Sequence, residues 1–160
     1  MKQDNFKSPD YYSIDNLLSD ENILVRDSVR EWVRNNASPI IEKAAQDDIF
    51  PKIFLKGISE IGGYGAFLPE KYGGSNIDYI SYGLMMQELE RCDSSLRVLS
   101  SVQSSLVMKL IYDYGKDEVK SKYLNRLANG ELIGCFGMTE SSHGSDPVSY
   151  THLTLPTIRS

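Results

Sequence analysis

Apolar residues recur at three- and four-residue intervals through most of the first 130 positions, which is the period of helices with one buried face. Val25, Val29, Trp32 and Val33 make the first such stripe. Ser19 stands ahead of it as an N-cap, and Asp20 and Glu21 place negative charge where the first amide N–H groups lack partners. Asn35, Asn36 and Pro39 predict a break, followed by a second helix with Ile40, Ile41, Ala44 and Ala45. Pro51 suits the first position of a third helix, which Gly62 and Gly63 end. From Gly65 to Gly74 the breakers are too dense for a regular element, so a loop packed by its own aromatics is expected. Asp78 is the expected cap of a helix holding Ile80, Leu84, Met85 and Leu89, with Glu88, Glu90 and Arg91 in its last turns. Its methionines read as core filling.

Residues 97 to 112 differ, because Leu99, Val102, Leu106, Val107, Met108, Leu110 and Ile111 cover nearly the whole helical circumference. Ser100, Ser101, Ser104 and Ser105 fill the rest, and side chains that small let neighbours approach. This is the pattern of the central helix of a bundle. Gly115 stops it, and a last amphipathic helix carries Val119, Tyr123, Leu124 and Leu127 on one side and Lys116, Lys120, Lys122 and Arg126 on the other, as far as Asn129-Gly130. The expected fold is all-α, a bundle of about six helices over residues 19–130. An extended lead-in over 1–18 precedes it, and one strand beginning a β-domain over 131–147 follows it.

Charge and composition narrow the function. The net charge of -5 comes with no stripe of Lys or Arg, which argues against a nucleic-acid or anionic-membrane surface. No apolar run approaches the roughly 18 residues of a membrane span, and no leader pattern opens the chain, so a cytoplasmic protein is expected. Cys92 and Cys135 make no disulfide framework and no metal spacing, and His143 and His152 are too few for a zinc site or a Ser-His-Asp triad.

The segment with chemistry in it is Gly134 to Pro147. Cys135, Phe136 and Met138 suit a strand, and Thr139 to Asp146 make a loop of hydroxyls with a glycine. Backbone N–H groups and the Thr139 hydroxyl could line the edge of a planar heterocycle, while Gly144 admits an anion and Ser145 donates to it. On local chemistry alone, an ordinary surface turn after a strand has the same composition.

Four motifs in order add to that. Leu68-Pro69-Glu70-Lys71-Tyr72-Gly73-Gly74, Glu88-Leu89-Glu90-Arg91, the run Ser101 to Met108 and the Gly134–Pro147 segment together resemble acyl-CoA dehydrogenases, and within them the glutaryl-CoA dehydrogenase branch most. The resemblance covers residues 9 to 147. It implies FAD as cofactor, with Phe136, Met138, Thr139, Gly144 and Ser145 binding it, Thr139 on the pyrimidine side and Ser145 near the pyrophosphate and the CoA arm. It implies an acyl-CoA substrate, electron-transferring flavoprotein as electron acceptor, and a homo-oligomer, a tetramer in the family. The family's general base is a glutamate in a later helical domain with no match here, so this chain is expected to hold no catalytic residue and no activity of its own.

In the glutaryl-CoA branch the arginine matching Arg97 binds the far carboxylate of the substrate, with a glutamate at the position of Glu90. Arg97 opens the most apolar helix of the chain and must be paired or face an anion. An ion pair with Glu90 or Asp93 is the structural alternative. Val98 stands where that branch places a hydroxyl-bearing Ser, Ser95 replaces a Gly, and Ser141-Ser142 replaces a Pro-containing turn. A short-chain monocarboxylic acyl-CoA dehydrogenase and a non-catalytic helical interaction module are the other readings. Val148 to Thr157 interrupts the family pattern and resembles a translated sequencing adapter, so residues 148–160 are expected to be a non-native tail.

Overall fold

A computed structural model of the chain describes residues 11–139 and 144. The order is a 3-10 turn Ile14–Leu17, α1 Asp20–Trp32, α2 Ser38–Gln46, α3 Ile53–Glu60, a 3-10 turn Glu70–Tyr72, α4 Tyr79–Cys92, α5 Ser94–Ser101, α6 Lys109–Tyr114 and α7 Asp117–Ala128. A π-helical segment, Val33–Ala37, joins α1 to α2, and a second, Val102–Met108, joins α5 to α6. The fold is all-α, as the periodicity indicates.

Local chemistry sets the ends. Ser19 Oγ accepts from the Asn22 N–H while Asn22 Oδ1 accepts from the Ser19 N–H, a reciprocal capping box that starts α1. Asp78 caps α4 through the Ser81 N–H at 2.8 Å, and Asp93 caps α5 through the Ser95 N–H at 2.8 Å. Gly62, at φ +70°, reverses the chain after α3. The Asn22 amide also reaches across to Asp78 Oδ2 at 2.9 Å and Ser81 Oγ at 2.8 Å, so the first turns of α1 and α4 are tied together.

α4 packs between α1 and the α5–α6 rod, and α7 closes on α6. Val29, Phe54, Ile58, Leu89, Leu96 and Met108 form the heart of one core, to which Tyr64, Leu68, Met85 and Leu124 also belong. The stripes on α1 and α7 point where their spacing indicates.

Five expectations are corrected. Asn35 to Pro39 does not break the helix: the wider π turn absorbs the missing proline N–H, and the rod runs on from α1 into α2. Part of the lead-in is not extended, because Asp15 pairs with Arg26 at 2.7 Å and the Asn16 and Leu18 N–H groups close a 3-10 turn. The α5–α6 rod is buried on one side only: Leu96, Ser100, Gln103, Ser104 and Met108 face the core, whereas Val98, Leu106 and Leu110 are each more than 40 % exposed. Among the described residues there is no strand, and 133–139 is irregular, since a strand needs a partner to bond with. The loop from Gly65 to Gly74 packs on its neighbours more than on itself: Phe67 stacks against Tyr79 and Tyr82, and Tyr72 against Tyr112.

Candidate functional site

The serines on the central rod have polar work as well as small size. Ser100 Oγ donates to the Gly63 carbonyl at 2.6 Å, and Ser104 Oγ accepts from the Gly65 N–H at 2.9 Å. They satisfy main chain that the tight 62–65 turn leaves outside any helix.

At the start of the same rod, Arg97 Nε donates to Glu90 Oε2 at 2.7 Å, and Ser94 Oγ donates to Glu90 Oε1 at 2.7 Å. The Arg97 hydrogen bond, then that of Ser94, holds the Glu90 carboxyl below its ordinary range. Both side chains are close to 40 % exposed, 38 % for Arg97 and 45 % for Glu90, so the pair stands open to a ligand. The Glu90 partner is thus the one found; Asp93 is occupied as a cap. Val98, the next residue in the chain, is 42 % exposed.

Past α7 the chain leaves the bundle over the central rod. The Gly134 N–H donates to Gln103 Oε1 at 2.8 Å, while Gln103 Nε2 donates to the carbonyls of Leu132 at 2.8 Å and Leu127 at 3.0 Å. Gln103 is 1 % exposed. The residues read as flavin-facing follow at once: Phe136 is 52 % exposed, Met138 40 %, and Thr139 is exposed. Gly144 is exposed in a bend with open space where a Cβ would stand. Ser145, the Ser141-Ser142 substitution and the 148–160 tail lie outside the described residues.

The structure therefore brings Arg97 and Glu90 together, and ties Gly134, just ahead of the Phe136–Thr139 segment, to the rod that carries Arg97. Sequence reasoning missed Gln103. Its signal was present: a long amide-bearing side chain in the most apolar run of the chain must find partners there. Among the described residues no cluster of three His, Cys, Asp or Glu could hold a metal ion. No helix among them is long and apolar enough to cross a membrane.

The acyl-CoA dehydrogenase N-terminal domain model fits residues 19–131, the helical bundle, and the chain belongs to the acyl-CoA dehydrogenases. Among curated relatives it is 36 % identical over 129 residues to a short-chain specific acyl-CoA dehydrogenase of Clostridium acetobutylicum, covering 81 % of this chain and 34 % of that protein. It is 34 % identical, with the same coverage, to an acyl-CoA dehydrogenase of Bacillus subtilis. Among solved structures it is similar to a glutaryl-CoA dehydrogenase of Mycobacterium smegmatis in complex with FADH2, with TM-score 0.81 and 38 % identity over 85 % of this chain and 35 % of that one. The chain spans about a third of the length of the relatives it matches.

Proposed function

We propose that this chain supplies the N-terminal helical domain and the first flavin-facing segment of an FAD-dependent acyl-CoA dehydrogenase of the glutaryl-CoA type. The observation that carries the substrate assignment is the open Arg97–Glu90 pair at the head of the central rod. Glu90 engages Nε of the guanidinium, and the Nη groups are the donors that would take the substrate carboxylate, in the bidentate manner that suits arginine. Ser94 holds Glu90 in place from the other side.

The residues present fit the flavin. Phe136 and Met138 offer half-exposed apolar surface for a flat ring, the Thr139 hydroxyl is a donor at the end of the segment, and irregular backbone over 133–139 leaves amides outside any helix. Gly144 and Ser145 complete the proposed cradle toward the pyrophosphate. When bound, FAD accepts the hydride lost from the β-carbon of the acyl group. This chain's part is to bind and orient: Thr139 donates to the ring, Val98 lines the acyl path, and Arg97 fixes the distal carboxylate. The proton acceptor, electron transfer to an electron-transferring flavoprotein and a tetrameric assembly belong to the proposed complete enzyme.

The test is kinetic. In the complete flavoprotein, Arg97→Ala is expected to lower kcat/KM for glutaryl-CoA at least 100-fold and to leave butyryl-CoA within threefold. Equal loss on both substrates would remove the carboxylate role. The apolar Val98 favours a second reading, a monocarboxylic short-chain enzyme with a structural Arg97; that reading expects butyryl-CoA to be preferred before and after the substitution. A complete protein without a yellow chromophore would overturn both.

A further inference from the structure

Gln103 lies inside the π-helical segment of the central rod, and its whole amide is committed to one short stretch of main chain. Leu127 is in the last turn of α7; Leu132 and Gly134 lie past the reversal at Gly130, where φ is +69°. Three bonds of 2.8 to 3.0 Å from one side chain thus bracket the turn by which the chain leaves the bundle. Val107, on the same π segment, closes the other side: a Cβ on Gly134 would stand 2.5 Å from Val107 Cγ1. Backbone outside helices and ladders must find its partners elsewhere, and here the Gly134 N–H and the Leu132 carbonyl find theirs in a single buried residue. Gln103 is six residues after Arg97 on the same rod, about 9 Å along the axis at ~1.5 Å per residue. One rigid element therefore holds both Arg97 and the root of the Phe136–Thr139 segment.

We propose that Gln103 is a positioning residue: it fixes where the chain enters the 135–139 segment relative to the helix bearing Arg97, and so sets the register of Phe136, Met138 and Thr139. The claim that this register matters to a flavin rests on the function proposed above; the claim that Gln103 sets it does not. A residue that only filled the core would stabilise all the packed helices alike, whereas these three bonds converge on the exit turn.

The first measurement needs no flavin. In this chain, Gln103→Met keeps the volume and removes the amide, and amide hydrogen exchange at Gly134, whose N–H loses its acceptor, is expected to speed up at least tenfold while the α4 and α5 core amides of Leu89 and Leu96 stay within threefold. Unchanged exchange at Gly134, or a uniform rise across the bundle, overturns the proposal. Gln103→Glu is the second variant should the first fail to fold; it keeps the acceptor for Gly134 but turns a carboxylate oxygen toward two carbonyls, and the same local rise is expected, largest when ionised and reduced on protonation. An acid-insensitive, uniform rise again overturns it. The second measurement uses the complete protein loaded with FAD: a changed visible absorption envelope and a tenfold or greater fall in kcat, with KM for the thioester within threefold, extend the clamp to the flavin. A native spectrum and kcat despite faster exchange at Gly134 would overturn the functional half alone, and a protein that binds no FAD would sink the flavin reading while leaving the clamp standing.

Discussion

Arg30 lays one edge of its guanidinium on Glu88, Nε donating to Oε2 and Nη2 to Oε1, each at 2.9 Å, and joins α1 to α4 around a carboxylate that is only 2 % exposed. Arg91 adds a longer contact at 3.2 Å. Removing one partner of a buried pair strands the other, and that penalty exceeds what the pair contributes net. Arg30→Met is therefore expected to cost about 2 kcal/mol, below the fully buried range because Arg30 is a third exposed and Arg91 stays. The double variant Arg30→Met with Glu88→Leu should recover most of it. Urea unfolding of the three proteins checks both statements, and a double variant no better than the single would show that the loss is one of packing.

The tie between the first turns of α1 and α4 gives a second test. Ser19→Ala removes one half of the capping box and is expected to cost about 1 kcal/mol. Asn22→Ala should cost more, since it also withdraws the donor to Ser81 Oγ, which is buried. Asp78 is held below its ordinary range by the Ser81 N–H first and by the Asn22 amide among the lesser causes. Its titration in Asn22→Ala should therefore move up only part of the way. Thermal melts order the two variants, and carboxyl NMR shifts follow Asp78.

How much of this was legible follows from which residues carry local information. Ser19, Asp78, Gly62 and the stripe on α7 act through their own neighbours in sequence, so caps, ends and faces could be read directly. The π turns could not: Pro39 is an interruption by local rules, and only packing of the rod against α4 and its neighbours makes a wide turn the cheaper answer. Glu88 was placed in the right helix, but its burial and pairing could not be read, because its partner Arg30 lies 58 positions away. Gln103 was hidden in the same way, its partners being carbonyls and an N–H that 3.6-residue periodicity does not register. The exposed side of Leu106 and Leu110 was read as buried, since hydropathy reports that a surface will be covered and not which part of a chain covers it. Phe136, Met138 and Thr139 were found by resemblance, and their local pattern alone would have described a turn.

The Arg97–Glu90 pair makes a prediction in acid. Glu90 is held below its ordinary value of 4.5 in the folded chain. A depressed folded pKa contributes stability above the unfolded value, and that contribution is lost as pH falls through the folded one. Arg97→Ala removes the largest cause, so Glu90 should titrate closer to its ordinary range, short of it by what the Ser94 hydroxyl still supplies. NMR titration of the Glu90 side chain in the two proteins measures this, and an unmoved Glu90 would mean that the pair does not persist in solution. Under the proposed function, glutaryl-CoA bound to the complete enzyme sets a second carboxylate on the Nη side of Arg97, and its negative charge is expected to raise the Glu90 pKa.

Two helical glycines separate propensity from packing. Gly83 is exposed within α4, and a Cβ added there meets nothing within 4 Å. Gly83→Ala is expected to stabilise the domain by about 0.5 to 1 kcal/mol, the difference in helix propensity. Gly57 within α3 has the same propensity to gain, but its added Cβ would stand 2.5 Å from Cζ2 of Trp32 and 3.3 Å from Cε2. The contacted atoms belong to a rigid indole at the end of α1, which must swing as a whole ring where a flexible side-chain end would only bend. Overpacking costs about 1 to 3 kcal/mol, which outweighs the gain. Gly57→Ala should therefore destabilise by about 1 kcal/mol, and Trp32 fluorescence should report a moved ring in the folded state. Trp32→Phe, which shortens the ring system on that side, is expected to reverse the sign of the Gly57→Ala effect, so a double variant less stable than Trp32→Phe alone would place the strain somewhere other than this contact.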